Sequence, residues 1–446
     1  STLPTNFFVQ GVSFADIDMD GHLDAYVCND DGPSGVLIGD GQGGFTNNTT
    51  IIDTDPNGGG ESDSGNYGCV WTDIDNDGDS DLYISKCRQG VSNPNDSRRI
   101  NQLQINNGNG TYTEAAAAWG IADGEQSWAA DFGDIDNDGD MDLVLAQHTG
   151  TFLELFRNDG NTFTDITSSL NSMFPVHPIQ VKFADVDNDG WVDIIVSGTN
   201  QWKFLMNQGN GTFSDANQPA IGCQINSFAL GDLNSDGFMD MYATPFGYGA
   251  WAPSGGDSIY VNDGNANNHA VFTLDGNPSN PDAVGARVEI NGAWGTQIRE
   301  VRAGESYGIQ NTLNLHFGLG TATNIDTVTV YWPSGNVEQY FNVAPGMHHY
   351  IEGPVAIEEE VESGVKAVAF PSPATDQVLL KFENLETTLA AYEVQIYDLQ
   401  GKVLRSVPMH QANKVVVPRD GLSAGLYFFA LKNGNTRLLQ GKFQFQ

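Results

Sequence analysis

Five times along the chain a nine-residue acidic pattern recurs, Asp-x-(Asp or Asn)-x-Asp-Gly-x-x-Asp. It reads DIDMDGHLD from Asp16, DIDNDGDSD from Asp73, DIDNDGDMD from Asp134, DVDNDGWVD from Asp185 and DLNSDGFMD from Asp232. Successive starts lie 57, 61, 51 and 47 residues apart, a period that belongs to stacked or radial repeat architectures. Carboxylates packed this densely repel one another and resist burial unless a cation sits among them.

The spacing supplies a way to hold that cation. Side chains at positions 1, 3 and 5 converge when the backbone curls around a centre, and glycine at position 6 permits the turn. The carbonyl at position 7 and the carboxylate at position 9 then close the shell. Hard oxygen donors in a flexible loop favour Ca²⁺ over Mg²⁺, which demands tighter octahedral geometry. The expected ligands are Asp16, Asp18, Asp20, His22 (carbonyl) and Asp24 in loop 1, and Asp73, Asp75, Asp77, Asp79 (carbonyl) and Asp81 in loop 2. Loop 3 offers Asp134, Asp136, Asp138, Asp140 (carbonyl) and Asp142; loop 4 offers Asp185, Asp187, Asp189, Trp191 (carbonyl) and Asp193. Loop 5 has Asp232, Asn234, Asp236, Phe238 (carbonyl) and Asp240, with less charge because of the asparagine. A solvated acidic loop would explain one match; five at a regular period predict about five Ca²⁺ ions, mainly structural.

An EF-hand would continue as helix after its loop. Here the loops run into LDAYV, SDLYIS, MDLVLA, VDIIVS and MDMYA, short branched and aromatic runs that read as strands. Downstream, NNGNGTYTE, RNDGNTFTD, MNQGNGTFSD and the looser GDGQGGFTN are glycine-rich hairpin signals. Two hairpins per repeat predict a four-stranded sheet of about 50 residues, the size of a propeller blade. With loop and hairpin signatures alternating over residues ~10 to ~266, the segment resembles the FG-GAP or VCBS repeats of integrin-like β-propellers; the resemblance implies about six or seven blades, the visible loops set at least five, and the count is open.

The formal net charge of −38 excludes nucleic acid and anionic membrane surfaces as partners, and no run is long enough to span a bilayer. The charge is uneven. Residues 1–266 hold 39 acidic and 7 basic side chains, and 267–353 hold 8 and 3. Residues 354–364 add four glutamates and read as an acidic linker, whereas 365–446 reverse sign with 9 basic and 6 acidic residues. Alternating runs such as ARVEI and DTVTVYW make 267–353 a small β domain. Its NH entry, DAVGARV, LHFGLG and VYWPSG resemble the ASPIC/UnbV family. His269, His316, His348 and His349 lie there without nucleophile–base or metal spacing, and Trp332 reads as core or turn. Residues 365–446 alternate as a β-sandwich. Their FPSPATDQVLL, VQIYDLQGKVL, GLSAGLYFFAL and QGKF resemble the C-terminal sorting domain of type IX secretion. That resemblance implies recognition by the secretion machinery and export to the outer-membrane cell surface, or secretion, in a Gram-negative bacterium.

The expected fold is therefore all-β: a calcium-binding β-propeller of at least five blades, a small β domain and an Ig-like β-sandwich. Four cysteines, Cys28, Cys69, Cys87 and Cys223, lack zinc-site spacing. A Cys69–Cys87 disulfide and two plain buried thiols are both open. The expected function is an exported, calcium-binding, adhesin-like module for glycan or protein, its ligand at the propeller's open face or central channel. Trp119, Trp128, Trp202 and Trp251 could stack on sugars, though burial between blades suits most of them better. A calcium-assisted polysaccharide-active enzyme and a structural subunit of a surface assembly are the alternatives. The enzyme reading lacks an acid–base pair outside the loops.

Overall fold

The computed structural model describes residues 7–53, 64–170, 178–198, 202–216, 225–245 and 256–353. It also describes 366–445, apart from 371–373, 375–376, 384, 386–391, 398–401, 410–412, 424 and 434–435. Cys223, Trp251 and the acidic linker lie outside these residues.

Each acidic loop joins two antiparallel strands, as the flanking sequences predict. Blade 1 comprises Val9–Ala15, Asp24–Asn29, Gly35–Gly39 and Phe45–Asn47 in meander order. Blade 2 (Asn66–Thr72, Asp81–Lys86, Gln102–Asn106, Tyr112–Glu114) and blade 3 (Ser127–Gly133, Asp142–Gln147, Leu153–Asn158, Phe163–Asp165) repeat it. Blade 4 (Pro178–Ala184, Asp193–Gly198, Trp202–Asn207, Phe213–Asp215) does the same, and blade 5 has three described strands, Ile225–Gly231, Asp240–Pro245 and Ser258–Tyr260. The first strand of each blade packs beside the first strand of the next, from blade 1 through blade 5. The sheets therefore fan around an axis lined by those strands, with apolar clusters filling the seams between neighbouring blades. Strands whose two faces both meet a neighbouring sheet read as continuous apolar runs rather than alternating ones. The fully buried Asp142–Gln147 and Asp193–Gly198 are such strands.

Residues 268–351 form two sheets around one core that includes Phe272, Val288, Phe317, Val330 and Trp332. One sheet has the order Leu315–Gly320, Asn268–Asp275, Gly346–Ile351, its last pair parallel; the other runs Gly295–Glu300, Arg287–Gly292, Ile325–Tyr331, Val337–Val343. Trp332 is core, as expected. Residues 366–445 pack a three-stranded and a four-stranded sheet across a second core, a sandwich centred on Phe382, Phe429 and Phe443. Among the described residues no helix is long and apolar enough to cross a membrane. The three described cysteines are free thiols, so the Cys69–Cys87 bond is not formed; the Cys87 sulfur instead lies 3.2 Å from the Trp128 indole Nε1.

Candidate metal centre

Each acidic loop is built by the same hydrogen bonds. The position 1 carboxylate accepts the N–H groups of positions 5 and 6: in loop 2, Asp73 from Asp77 at 3.0 Å and from Gly78 at 3.1 Å. The position 9 carboxylate accepts the N–H of position 2 and one from the third strand, here Asp81 from Ile74 at 3.0 Å and from Asn106 at 2.8 Å. Asp142, Asp193 and Asp240 repeat both contacts with Ile135 and Asn158, Val186 and Asn207, Leu233 and Asn262. The curl needs left-handed backbone at position 4, where Met19, Asn76, Asn137, Asn188 and Ser235 have φ between 59° and 64°. Asparagine tolerates that region better than most residues.

In loops 1 to 4 this geometry brings the carboxylates of positions 1, 3 and 9 together. The triads are Asp16/Asp18/Asp24, Asp73/Asp75/Asp81, Asp134/Asp136/Asp142 and Asp185/Asp187/Asp193, with oxygens within 4.8 Å of one another. The position 5 carboxylates Asp20, Asp77, Asp138 and Asp189 stand outside these triads. Each accepts the N–H of position 7, from His22, Asp79, Asp140 and Trp191. Loop 5 forms no three-carboxylate group among the described residues; Asn234 donates to Asp236 at 2.9 Å, and Phe238 donates its N–H to Asp236.

The donor set fits a hard divalent cation. In loops 1, 2 and 3 one oxygen of the position 3 carboxylate (Asp18, Asp75, Asp136) is buried with no hydrogen-bond partner, a costly arrangement unless something positive meets it. Burial, then neighbouring charge, pushes Asp73, Asp134 and Asp185 up to about 7. Burial pushes Asp81 up to about 9. Oxygen-only donors converging in a flexible loop suit Ca²⁺.

Two sets of asparagines escaped the sequence reading. At position 4, Asn76, Asn137 and Asn188 donate to the next blade's loop, at Asp140 Oδ1, the Gly190 carbonyl and the Gly237 carbonyl. At the end of the third strand, Asn158, Asn207 and Asn262 reach back to the position 2 carbonyls of Ile74, Ile135 and Val186 in the preceding blade, at 3.1, 2.8 and 2.8 Å. Their signal was the Asn-x-Gly opening each hairpin turn.

The expected central channel is filled by the chain itself. A loop from the middle unit, residues 300–312, runs down the axis and touches the first strand of each of the five described blades. Phe14 donates its N–H to Ala303 at 2.7 Å in blade 1, and the Thr72 hydroxyl meets Glu300 at 2.7 Å in blade 2. Arg302 donates to the Phe132 carbonyl at 2.9 Å and lies 3.5 Å from Asp131 in blade 3. Lys182 of blade 4 pairs with Glu305 at 2.9 Å and Asp131 at 3.2 Å, and Asn311 accepts the Leu230 N–H of blade 5 at 2.8 Å. Burial works against ionising Glu305, but Lys182 and Arg302 outweigh it and hold the carboxyl below its usual range.

The rest of the middle unit covers the acidic loops. Arg287 bridges loops 2 and 3, donating to Asn76 and to the Gly139 carbonyl and lying 3.9 Å from Asp73. The charge of Arg299 is felt by both Asp134 and Asp185. His316 contacts the Gly237 carbonyl of loop 5 at 2.9 Å, and burial holds its imidazole down to about 4. That carbonyl already accepts from Asn188, and the ring is a neutral packing group. At the opposite mouth lies an aromatic group: Trp128 stacks on His148 at 4.9 Å, with Tyr67 and Tyr307 at 5.8 and 5.7 Å. Trp119 packs on Phe163, and Trp202 on Phe204 and Tyr260.

Comparison with known proteins follows the same order along the chain. The FG-GAP-like repeat family matches residues 90–145, 134–196 and 185–243, ASPIC and UnbV matches 276–358, and the secretion system C-terminal sorting domain matches 368–443. Human cartilage acidic protein 1 is 26% identical over 263 residues, covering 55% of this chain and 39% of that protein; the chain thus spans well under half of that relative. Among solved structures, a lectin of Agrocybe aegerita that recognises non-reducing terminal N-acetylglucosamine is similar at 16% identity, TM-score 0.32, over 58% of this chain and 81% of that one. YCF48 of Cyanidioschyzon merolae is similar at 10% identity, TM-score 0.32, over 58% and 73%. From its acidic repeats to its last strand, the chain carries FG-GAP-like repeats, an ASPIC/UnbV domain and a secretion system C-terminal sorting domain, in that order.

Proposed function

We propose that this is an exported, calcium-stiffened, adhesin-like protein that binds a glycan or another protein at the cell surface. Its last domain is the address read by the type IX secretion machinery. One observation carries the reading: Arg287 and Arg299 of the middle unit are set against the acidic loops of blades 2, 3 and 4. Loops faced by basic side chains of a neighbouring unit hold ions for stability, and recognition falls to another surface. With residues 300–312 in the channel, the exposed parts of the far mouth remain. We assign the ligand platform to Trp128, His148 and Tyr307, partly exposed rings suited to stacking on a sugar or an apolar side chain.

The ions and the ligand are tested in one experiment. A glycan array and a surface-protein panel are probed with calcium-loaded protein, with chelated protein and with Trp128→Ala. Excess EDTA should lower the melting temperature, because ions that bind only the folded state stabilise it by mass action. Trp128→Ala should lose binding while keeping its calcium response. A melting curve indifferent to EDTA removes the calcium reading, and full binding by Trp128→Ala removes the platform.

A further inference from the structure

Blade 1 is held to the rest of the arc differently from the other blades. Blades 3, 4 and 5 are each tied to their predecessor by a third-strand asparagine donating directly to a position 2 carbonyl. At the seam between blades 1 and 2 that role passes to the Tyr112 hydroxyl, 3.2 Å from the Ile17 carbonyl, with Asn106 behind it. Two cysteines meet at this same seam. Cys28 sits on the second strand of blade 1 and Cys69 on the first strand of blade 2, both in the buried cluster with Tyr26, Trp71 and Ile84. Gly11, the ladder partner of Cys28, brings the two backbones close. A Cβ there would stand 2.6 Å from the Tyr67 carbonyl and 3.7 Å from the Cα of Gly68, next in sequence to Cys69. The Ser13 hydroxyl lies 3.0 Å from the Cys69 sulfur. Both thiols lie in one buried cluster, and burial, then the neighbouring Cys69 thiol, pushes the Cys28 thiol up.

We propose that Cys28 and Cys69 form a disulfide that staples blade 1 to blade 2 in the exported protein. The oxidant is a disulfide, either a small molecule such as oxidised glutathione or a thiol–disulfide exchange protein. One cysteine thiolate attacks it and releases a reduced thiol; the second cysteine thiolate then displaces the other. One S–S bond forms and one breaks, and two electrons and two protons leave on the oxidant's thiols. Both cysteines are buried in the folded chain, so exchange precedes closure of the seam. The bond closes a loop of about 40 residues, long enough for a substantial constraint on the unfolded chain. Cys87, on the far side of blade 2 against Trp128, takes no part.

Only the oxidising destination is borrowed from the export reading, and a test in vitro separates the two. The full chain is unfolded in denaturant with reductant, refolded in a glutathione redox buffer and digested without reductant. The expected product joins the Cys28 peptide to the Cys69 peptide. The oxidised protein should melt several degrees above the reduced one, and Cys28→Ser should melt alike in both states. Recovery of Cys28 and Cys69 as free thiols after complete oxidation, or joined to Cys87 or Cys223 instead, overturns the proposal. Should the serine variant not fold, Cys69→Ala repeats the thermal comparison, and the peptide map stands without either.

Discussion

Asparagine does two jobs in this repeat, one at position 4 of the loop and one at the end of the third strand. At position 4 it accepts a left-handed backbone and spends its amide on the next loop. At the strand end it satisfies one carbonyl across a seam and one in its own blade: Asn207 donates to Ile135 at 2.8 Å and to Val192 at 3.2 Å. Removing it leaves buried acceptors without donors, so Asn207→Ala should cost about 2 kcal/mol, read by urea unfolding with calcium present. Glu154 gives a pH signature away from the loops. Burial, then the charge of Asp123, pushes it up to about 7. A carboxyl raised on folding adds stability at low pH that is lost as pH rises from its ordinary value through about 7. Glu154→Gln should therefore gain on the native protein between about pH 5 and about pH 8, by about 1 kcal/mol once partial exposure is allowed for. Parallel pH profiles for the two proteins would contradict that.

Among the elements, the channel loop is the one that joins the propeller to the middle unit. Arg302 lies against Asp131, Glu300, Thr72 and the Phe132 carbonyl. Arg302→Ala leaves two buried carboxylates short of a cation and should cost roughly 3–5 kcal/mol, visible as an earlier thermal transition. The acidic loops were legible in the sequence because their chemistry is local: nine consecutive residues state the ligand spacing, the turn and the strand that follows. The channel loop was not. Its partners lie 81 to 297 positions away, and residues 300–312 carry no period that would announce an axis. The three basic residues of the middle unit, Arg287, Arg299 and Arg302, were visible in the charge balance. That all three face the acidic arc follows only from the topology.

At the scale of the whole molecule, the described residues hold five blades, and described side chains on the outer face of the fifth are exposed. Position 2 of the loop shows this most directly, since it packs against the following blade. Ile17, Ile74 and Ile135 are 0%, 1% and 5% exposed, whereas Leu233 of blade 5 is 58% exposed. Tyr242, Ile259 and Val261, also on blade 5, are exposed as well, although Tyr26 and Tyr83, the counterparts of Tyr242, are buried. Among the described residues the first strand of blade 5 has no contact with that of blade 1 like those between successive blades. The channel loop spans the five described blades: it binds Leu230 of blade 5 and Phe14 of blade 1. The same kind of substitution should then have opposite weights at the two ends of the repeat. Ile74→Ala opens a cavity in a sealed seam and should cost about 2–4 kcal/mol. Leu233→Ala removes a side chain from water and should stay within about 0.5 kcal/mol. Urea titrations of both variants decide the matter, because a comparable loss at Leu233 would mean that this face of blade 5 is covered in solution.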